Sequence, residues 1–102
     1  MNLTKYILDT DGHPQPEGDL LAWAQWMGTG DNQVLKREQV GHVRVSTVFL
    51  GLDHGWGGSE TPVLWETMVF GGKLDGLCER YASRADALAG HAAVVARVEE
   101  AA

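Results

Sequence analysis

The residues best suited to chemistry lie between two predicted strands, in the glycine-rich stretch GLDHGWGGSETP. This stretch holds a carboxylate, an imidazole and an indole within four residues, at Asp53, His54 and Trp56. The strand that follows carries one acid, Glu66, in an otherwise apolar run. An acid in an apolar setting needs a partner or takes up a proton, so it can act as a base or bind a polar ligand. We predict a ligand-binding site formed by these four residues, with His91 from the last helix as a further contact.

Each of these residues also has a structural interpretation. Glu66 could form an ion pair with Arg44, Arg80 or His91, or lie exposed at a sheet edge. A single imidazole on the core face of a helix is usually a hydrogen-bonded packing residue. Trp56 could stack on a ligand, dock a partner or cover the core, and Trp26 could be an interface anchor or pack at the core rim.

Complete catalytic and cofactor motifs are missing from the sequence. The glycine-rich stretch leads from strand to strand and lacks the lysine and hydroxyl residue of a phosphate loop. The four histidines show no zinc-ligand spacing, and Asp9-Thr10-Asp11-Gly12 lacks the closing glutamate of a calcium loop, so an Asx turn is predicted there. Cys78 adjoins Glu79, which raises a thiol pKa, and no nucleophile elbow occurs. No metal and no cofactor are therefore predicted.

Size and charge narrow the possible partners and location. A chain of 102 residues is expected to form a single domain spanning residues 1–102. Its net charge of −6 argues against nucleic acid or an anionic membrane as the partner. No apolar run approaches the roughly 20 residues of a membrane span, and no signal peptide is recognised. A single cysteine suits a reducing compartment, so we predict a cytoplasmic protein.

The elements that would position the site follow from periodicity and turn residues. Strands are predicted at 5–8, 34–40, 43–50, 63–70 and 77–81, with a two-residue hairpin turn at Gly41-His42. Asp19 is predicted to cap a helix over LLAWAQWMG, and Ser83 a second helix. The core stripe of the second helix is predicted from helical spacing to comprise Leu88, His91, Val95 and Val98. Gly90 within it suggests close approach to the sheet.

The order β-α-β-β-β-β-α with short connections favours an α+β domain. We expect an antiparallel meander sheet of four to five strands with two helices packed on one face. The opposite face would still show large apolar residues, such as Met68 and Phe70. A second copy of the chain is the simplest cover for that face, so a homo-oligomer is predicted.

Five stretches carry a resemblance to a known group of proteins: YILD, DLLAWAQWM, VRVSTVFLGLDHGWGG, LWETMVFGG and ERYASRADALAGHAAVVARV. Over nearly its whole length the chain resembles small uncharacterised proteins encoded by bacteriophages and prophages. The most distinctive segments are VSTVFLGLDH (45–54), ETMVFGG (66–72) and the run from 80 to 91. The resemblance implies expression in a bacterial host cytoplasm. It transfers no activity and no catalytic residue.

Three functions follow as hypotheses. The first is a non-enzymatic phage or prophage accessory protein that binds a small signalling molecule or a host protein through segment 51–60, including one that counters a host defence. The second is a small hydrolase, metal-assisted or not, that uses Glu66 as a base with Asp53, His54 and His91 in support. The third is a structural virion or scaffold component.

Overall fold

A computed structural model describes residues 4–29, 31–53 and 61–101. These residues form six strands and two helices, and the strands belong to two antiparallel sheets. The α+β class and the meander predicted from sequence are confirmed, although one more strand is present than expected. The elements are β1 (Tyr6–Leu8), β2 (Pro14–Pro16), α1 (Leu20–Met27), β3 (Val34–Val40), β4 (Val43–Phe49), β5 (Trp65–Phe70), β6 (Cys78–Tyr81) and α2 (Arg84–Ala101).

The main sheet has the strand order β3-β4-β5-β6, and every neighbouring pair is antiparallel. Gly41, at φ +60°, and His42 form the predicted two-residue turn, since Val40 pairs with Val43. The register of β3 shifts between Val34 and Lys36, as in a β-bulge. Because side chains alternate along a strand, this register decides which residues face the helix.

Helix α2 packs across the inner face of the main sheet. Its first turn is capped by Ser83, whose Oγ accepts the N–H of Asp86 at 3.0 Å, as predicted. The buried side chains of the helix are Ala87, His91, Val94, Val95 and Val98. The prediction for Leu88 is wrong, because Ala87 faces the sheet at that turn and Leu88 is 38% exposed.

Two apolar clusters form the core between α2 and the sheet. The first contains only valines at its centre: Val45, Val69, Val94, Val95 and Val98. The second, which contains Leu64 and Ala87, is centred on Phe49 and Trp65, whose rings meet edge to face with centroids 5.6 Å apart. Trp26 packs edge-on against Phe49 at 5.8 Å, so the core-rim interpretation applies to it.

The N-terminal region adds α1 and the small sheet β1-β2 at the Phe49 end of the core. Asp19 caps α1 as predicted, since its Oδ1 accepts the N–H of Leu21 at 2.9 Å and of Ala22 at 3.2 Å. β2 is the strand that the sequence did not predict, and a proline stands at each of its ends. It nevertheless pairs with β1, and a strand with one free edge tolerates proline there.

Candidate functional site

The start of the predicted binding segment is packed tightly against the N-terminal region. Gly51 is buried at φ +75°, and a Cβ there would meet the Met27 sulfur at 2.7 Å. Its carbonyl accepts the backbone N–H of Tyr6 at 2.8 Å and the indole N–H of Trp23 at 3.3 Å. Only glycine combines this backbone angle with so little space. The backbone at Gly51, where the predicted binding segment begins, is therefore held in one position.

Asp53, near the start of the segment, is hydrogen-bonded to Val63, which follows the segment in the chain. Its Oδ1 accepts the backbone N–H of Val63 at 2.8 Å, so the chain between these residues begins and ends at one place. The predicted contacts His54 and Trp56 lie outside the described residues. Within the described part of the segment, the half-buried Asp53 carboxylate holds residues 53 and 63 close together.

Glu66 lies on the outer face of the main sheet, away from α2. It stands directly opposite Arg80 in the β5-β6 pairing, and the Arg80 Nε lies 2.9 Å from the Glu66 Oε2. Arg80 is thus confirmed as its partner, and the ion-pair interpretation of Glu66 applies. The side chain of Glu66 is 16% exposed, so it remains in contact with solvent. A half-exposed pair of this kind contributes at most about 1 kcal/mol.

The Glu66 carboxylate also affects the pKa of the neighbouring Cys78 thiol. Partial burial raises the pKa of Cys78, and the adjacent Glu66 raises it further. The thiol therefore stays protonated at neutral pH, which agrees with the prediction that it is not an activated nucleophile.

His91 does not meet Glu66, and this part of the predicted site is wrong. Alternation along β5 places Thr67 toward α2 and Glu66 on the opposite face, so the sheet separates Glu66 from His91. The partner of His91 is Glu38 on β3, whose Oε1 lies 2.9 Å from the imidazole Nε2. The hydrolase hypothesis loses His91 as a supporting group, because one substrate cannot contact both faces of a sheet.

The structure reveals instead a chain of hydrogen bonds from β5 to β3 through His91. Thr67 Oγ1 lies 2.6 Å from Thr47 Oγ1, which lies 2.6 Å from the Nδ1 of His91. At the other end, the Lys36 ammonium lies 3.4 Å from the Glu38 carboxylate. The hydrogen bond from His91 lowers the pKa of Glu38, and Lys36 lowers it further.

Every member of this chain has a hydrogen-bond partner. The Nε2–H of His91 donates to the Glu38 carboxylate, and the Nδ1 of His91 is hydrogen-bonded to the Thr47 hydroxyl. The Thr47 hydroxyl is in turn hydrogen-bonded to that of Thr67. Buried polar groups are stabilising when all are paired, so this chain holds α2 to three strands.

An acid, an imidazole and a hydroxyl in this order also occur in catalytic triads. Here Thr47, Thr67 and His91 are each 0% exposed, so no substrate can reach the hydroxyl. The arrangement therefore positions secondary structure. Sequence reasoning missed Glu38, which is 53 residues from His91. The available signal was the pair of threonines on strand faces that are otherwise apolar.

The aspartates at 9–13 form the predicted Asx turn. Asp9 Oδ1 accepts the N–H groups of Asp11 and His13, both at 2.9 Å. The hydrogen bond from the His13 backbone is the main reason that the pKa of Asp9 is lowered. Possible ligand atoms of Asp9, Asp11 and His13 lie within 4.8 Å of one another, but all three residues are exposed and Asp9 is already engaged with the backbone.

The outer sheet face is less apolar than the sequence suggested. Phe70 is 41% exposed, and the Arg44 guanidinium lies over its ring at 4.9 Å from the centroid. Together with the Glu66–Arg80 pair, this makes the face mixed in character. That a second copy of the chain covers it stays a prediction.

Comparisons with known proteins find no match for this chain among protein-family models, curated proteins or solved structures. The phage resemblance therefore stays a prediction. Fold and site together define a small α+β protein with a helix-covered meander sheet. Among the described residues, neither helix is both long and apolar enough to cross a bilayer.

Proposed function

We propose that this protein is a non-enzymatic phage or prophage accessory protein that binds a small ligand or a host protein through segment 51–60. The observation that supports this proposal is the fixed base of the segment. The hydrogen bond from Val63 to Asp53 holds together the described residues that flank 54–60, and the buried Gly51 anchors the start of the segment.

A fixed loop base favours binding for an energetic reason. Ordering a loop costs backbone entropy, about 1–2 kcal/mol for each residue that becomes restricted. Hydrogen bonds to Trp23 on α1, to Tyr6 on β1 and to Val63, which precedes β5, already restrict part of the backbone in the free protein, so less entropy is lost when a partner is bound. Recognition residues are commonly found on loops that a rigid scaffold positions in this way.

The described titratable groups support binding over catalysis. The imidazole and the two hydroxyls of the acid–imidazole–hydroxyl chain are closed to substrate, the Glu38 carboxylate is paired with His91, and the Glu66 carboxylate is paired with Arg80. A general base must reach its substrate, and within residues 4–29, 31–53 and 61–101 these acids serve structural pairs. The segment with His54 and Trp56 therefore remains the best candidate for contact with a partner.

Native mass spectrometry tests the proposal directly. The wild-type chain, a His54→Ala/Trp56→Ala variant and a His42→Ala control would be purified from bacteriophage-infected bacterial cells under identical conditions. His42 is exposed in the β3-β4 turn, at the other end of β4. We expect a stoichiometric bound mass in the wild type and the control, and its loss in the double variant. Circular dichroism would verify that all three remain folded.

Two results would overturn the proposal. One is a bound species that the folded double variant retains at the wild-type level. The other is the lack of any stoichiometric bound species in the wild-type protein purified from bacteriophage-infected cells.

A further inference from the structure

A small cavity lies where β4 begins, at the opposite end of this strand from segment 51–60. Its volume is about 170 Å³. The walls come from the β3-β4 hairpin, the β5-β6 connection and the last turns of α2. The side chains that line it are Val40, Val43, Lys73, Leu74, Val98 and Ala101.

The β5-β6 connection forms a wall whose backbone is held by hydrogen bonds. The N–H of Gly71 donates to the Asp75 carboxylate at 2.7 Å, and that of Gly76 donates to the Val69 carbonyl at 2.9 Å. Gly72, at φ +71°, lies so close to Val43 that a Cβ would meet its methyl group at 2.6 Å. The cavity is therefore formed before any ligand arrives, which lowers the cost of binding.

Lys73 is the only charged side chain among the described residues that line the cavity. It is exposed, and no salt bridge involves it within the part of the chain that the structure describes. The nearby Asp75 carboxylate is engaged by the Gly71 N–H. An apolar recess with one free cation at its wall matches a ligand that has an apolar body and a single negative charge.

From this arrangement we infer that the cavity binds a small organic carboxylate, with its alkyl or aryl body among the valines and its carboxylate on Lys73. A cavity of about 150 Å³ is known to hold a benzene molecule, so the space suits a body of about six carbons. The site is independent of segment 51–60.

A methyl NMR titration with hexanoate and 1-hexanol tests this assignment. We expect hexanoate to cause saturable shifts of the Val40, Leu74 and Val98 methyl signals, and hexanol to shift the same signals more weakly. An exposed ion pair contributes about 0.2–1 kcal/mol, so hexanoate should bind up to about fivefold more tightly. Lys73→Met should remove this preference and leave hexanol binding unchanged.

Two further variants make the test specific. Ala101→Trp should fill the cavity and abolish the shifts, whereas Ala85→Trp places the same side chain on an exposed position at the other end of α2 and should preserve them. His54→Ala/Trp56→Ala should also preserve them, which separates this site from the proposed function. Shifts that survive in Ala101→Trp, or a hexanoate preference that survives in Lys73→Met, would overturn the inference. So would a wild-type protein whose cavity methyl signals do not respond to hexanoate.

Discussion

Replacing Gly90 with alanine should destabilise this protein, which is the opposite of the usual effect within a helix. Gly90 lies in the second turn of α2, directly against the ring of Tyr81 on β6. A Cβ at position 90 would overlap the Tyr81 ring carbons Cε1 and Cζ and the phenolic Oη. The sequence predicted close approach to the sheet at this glycine, and the structure confirms it.

Two opposing terms set the size of the effect. Alanine gains about 1 kcal/mol over glycine in a helix interior. Forcing an extra methyl group into a filled space costs typically about 1–3 kcal/mol, and the direct overlap with the ring favours the upper part of that range. We therefore expect a net loss of about 1–2 kcal/mol in the free energy of unfolding. For a domain of this size, each kcal/mol lowers Tm by about 4–8 °C.

A double-mutant cycle with Tyr81→Val identifies the cause. Valine keeps the strand preference of β6 and removes the ring atoms that overlap. In that background, Gly90→Ala should stabilise the protein by about 1 kcal/mol, because only helix propensity remains. Urea unfolding followed by tryptophan fluorescence would measure all four proteins. If Gly90→Ala raised stability with Tyr81 in place, the steric argument would be refuted.

Three further predictions concern the polar groups. The free energy of unfolding should fall as the pH drops below about 4.5, the ordinary pKa of Glu38. The pKa of this carboxyl is lowered in the folded state, so its contribution to stability is lost when it becomes protonated. Glu38→Gln should make that fall smaller, as measured by urea unfolding between pH 3 and 6. Thr47→Val should cost about 1–3 kcal/mol, since it leaves the buried His91 Nδ1 unpaired, and calorimetry showing no loss would contradict the hydrogen-bond chain. Cys78 should react slowly with a disulfide reagent at neutral pH, and Glu66→Gln should accelerate it; an unchanged rate would exclude the charge effect.

Much of the fold could be predicted because its signals are local. Glycine at position 41 indicates a tight turn, and Asp19 and Ser83 can cap helices with their own side chains. The alternation in β4 and β5 predicts that Thr47 and Thr67 share a sheet face with the apolar residues two positions away, and the structure buries both threonines among them. Tertiary contacts were needed to recognise β2, since its prolines indicate a turn and only the partner strand β1 makes it a strand.

The polar contacts of the candidate site could not be predicted from local sequence signals. The sequence by itself determined that Glu66 would need a partner, that His91 would lie on the core side of a helix, and that both threonines would share a face with apolar residues. Only the tertiary structure decided that Glu66 pairs with Arg80 while His91 joins Glu38 to Thr47. The physical reason is that strand register and helix packing, acting across dozens of residues, determine which polar groups meet on each face of the sheet.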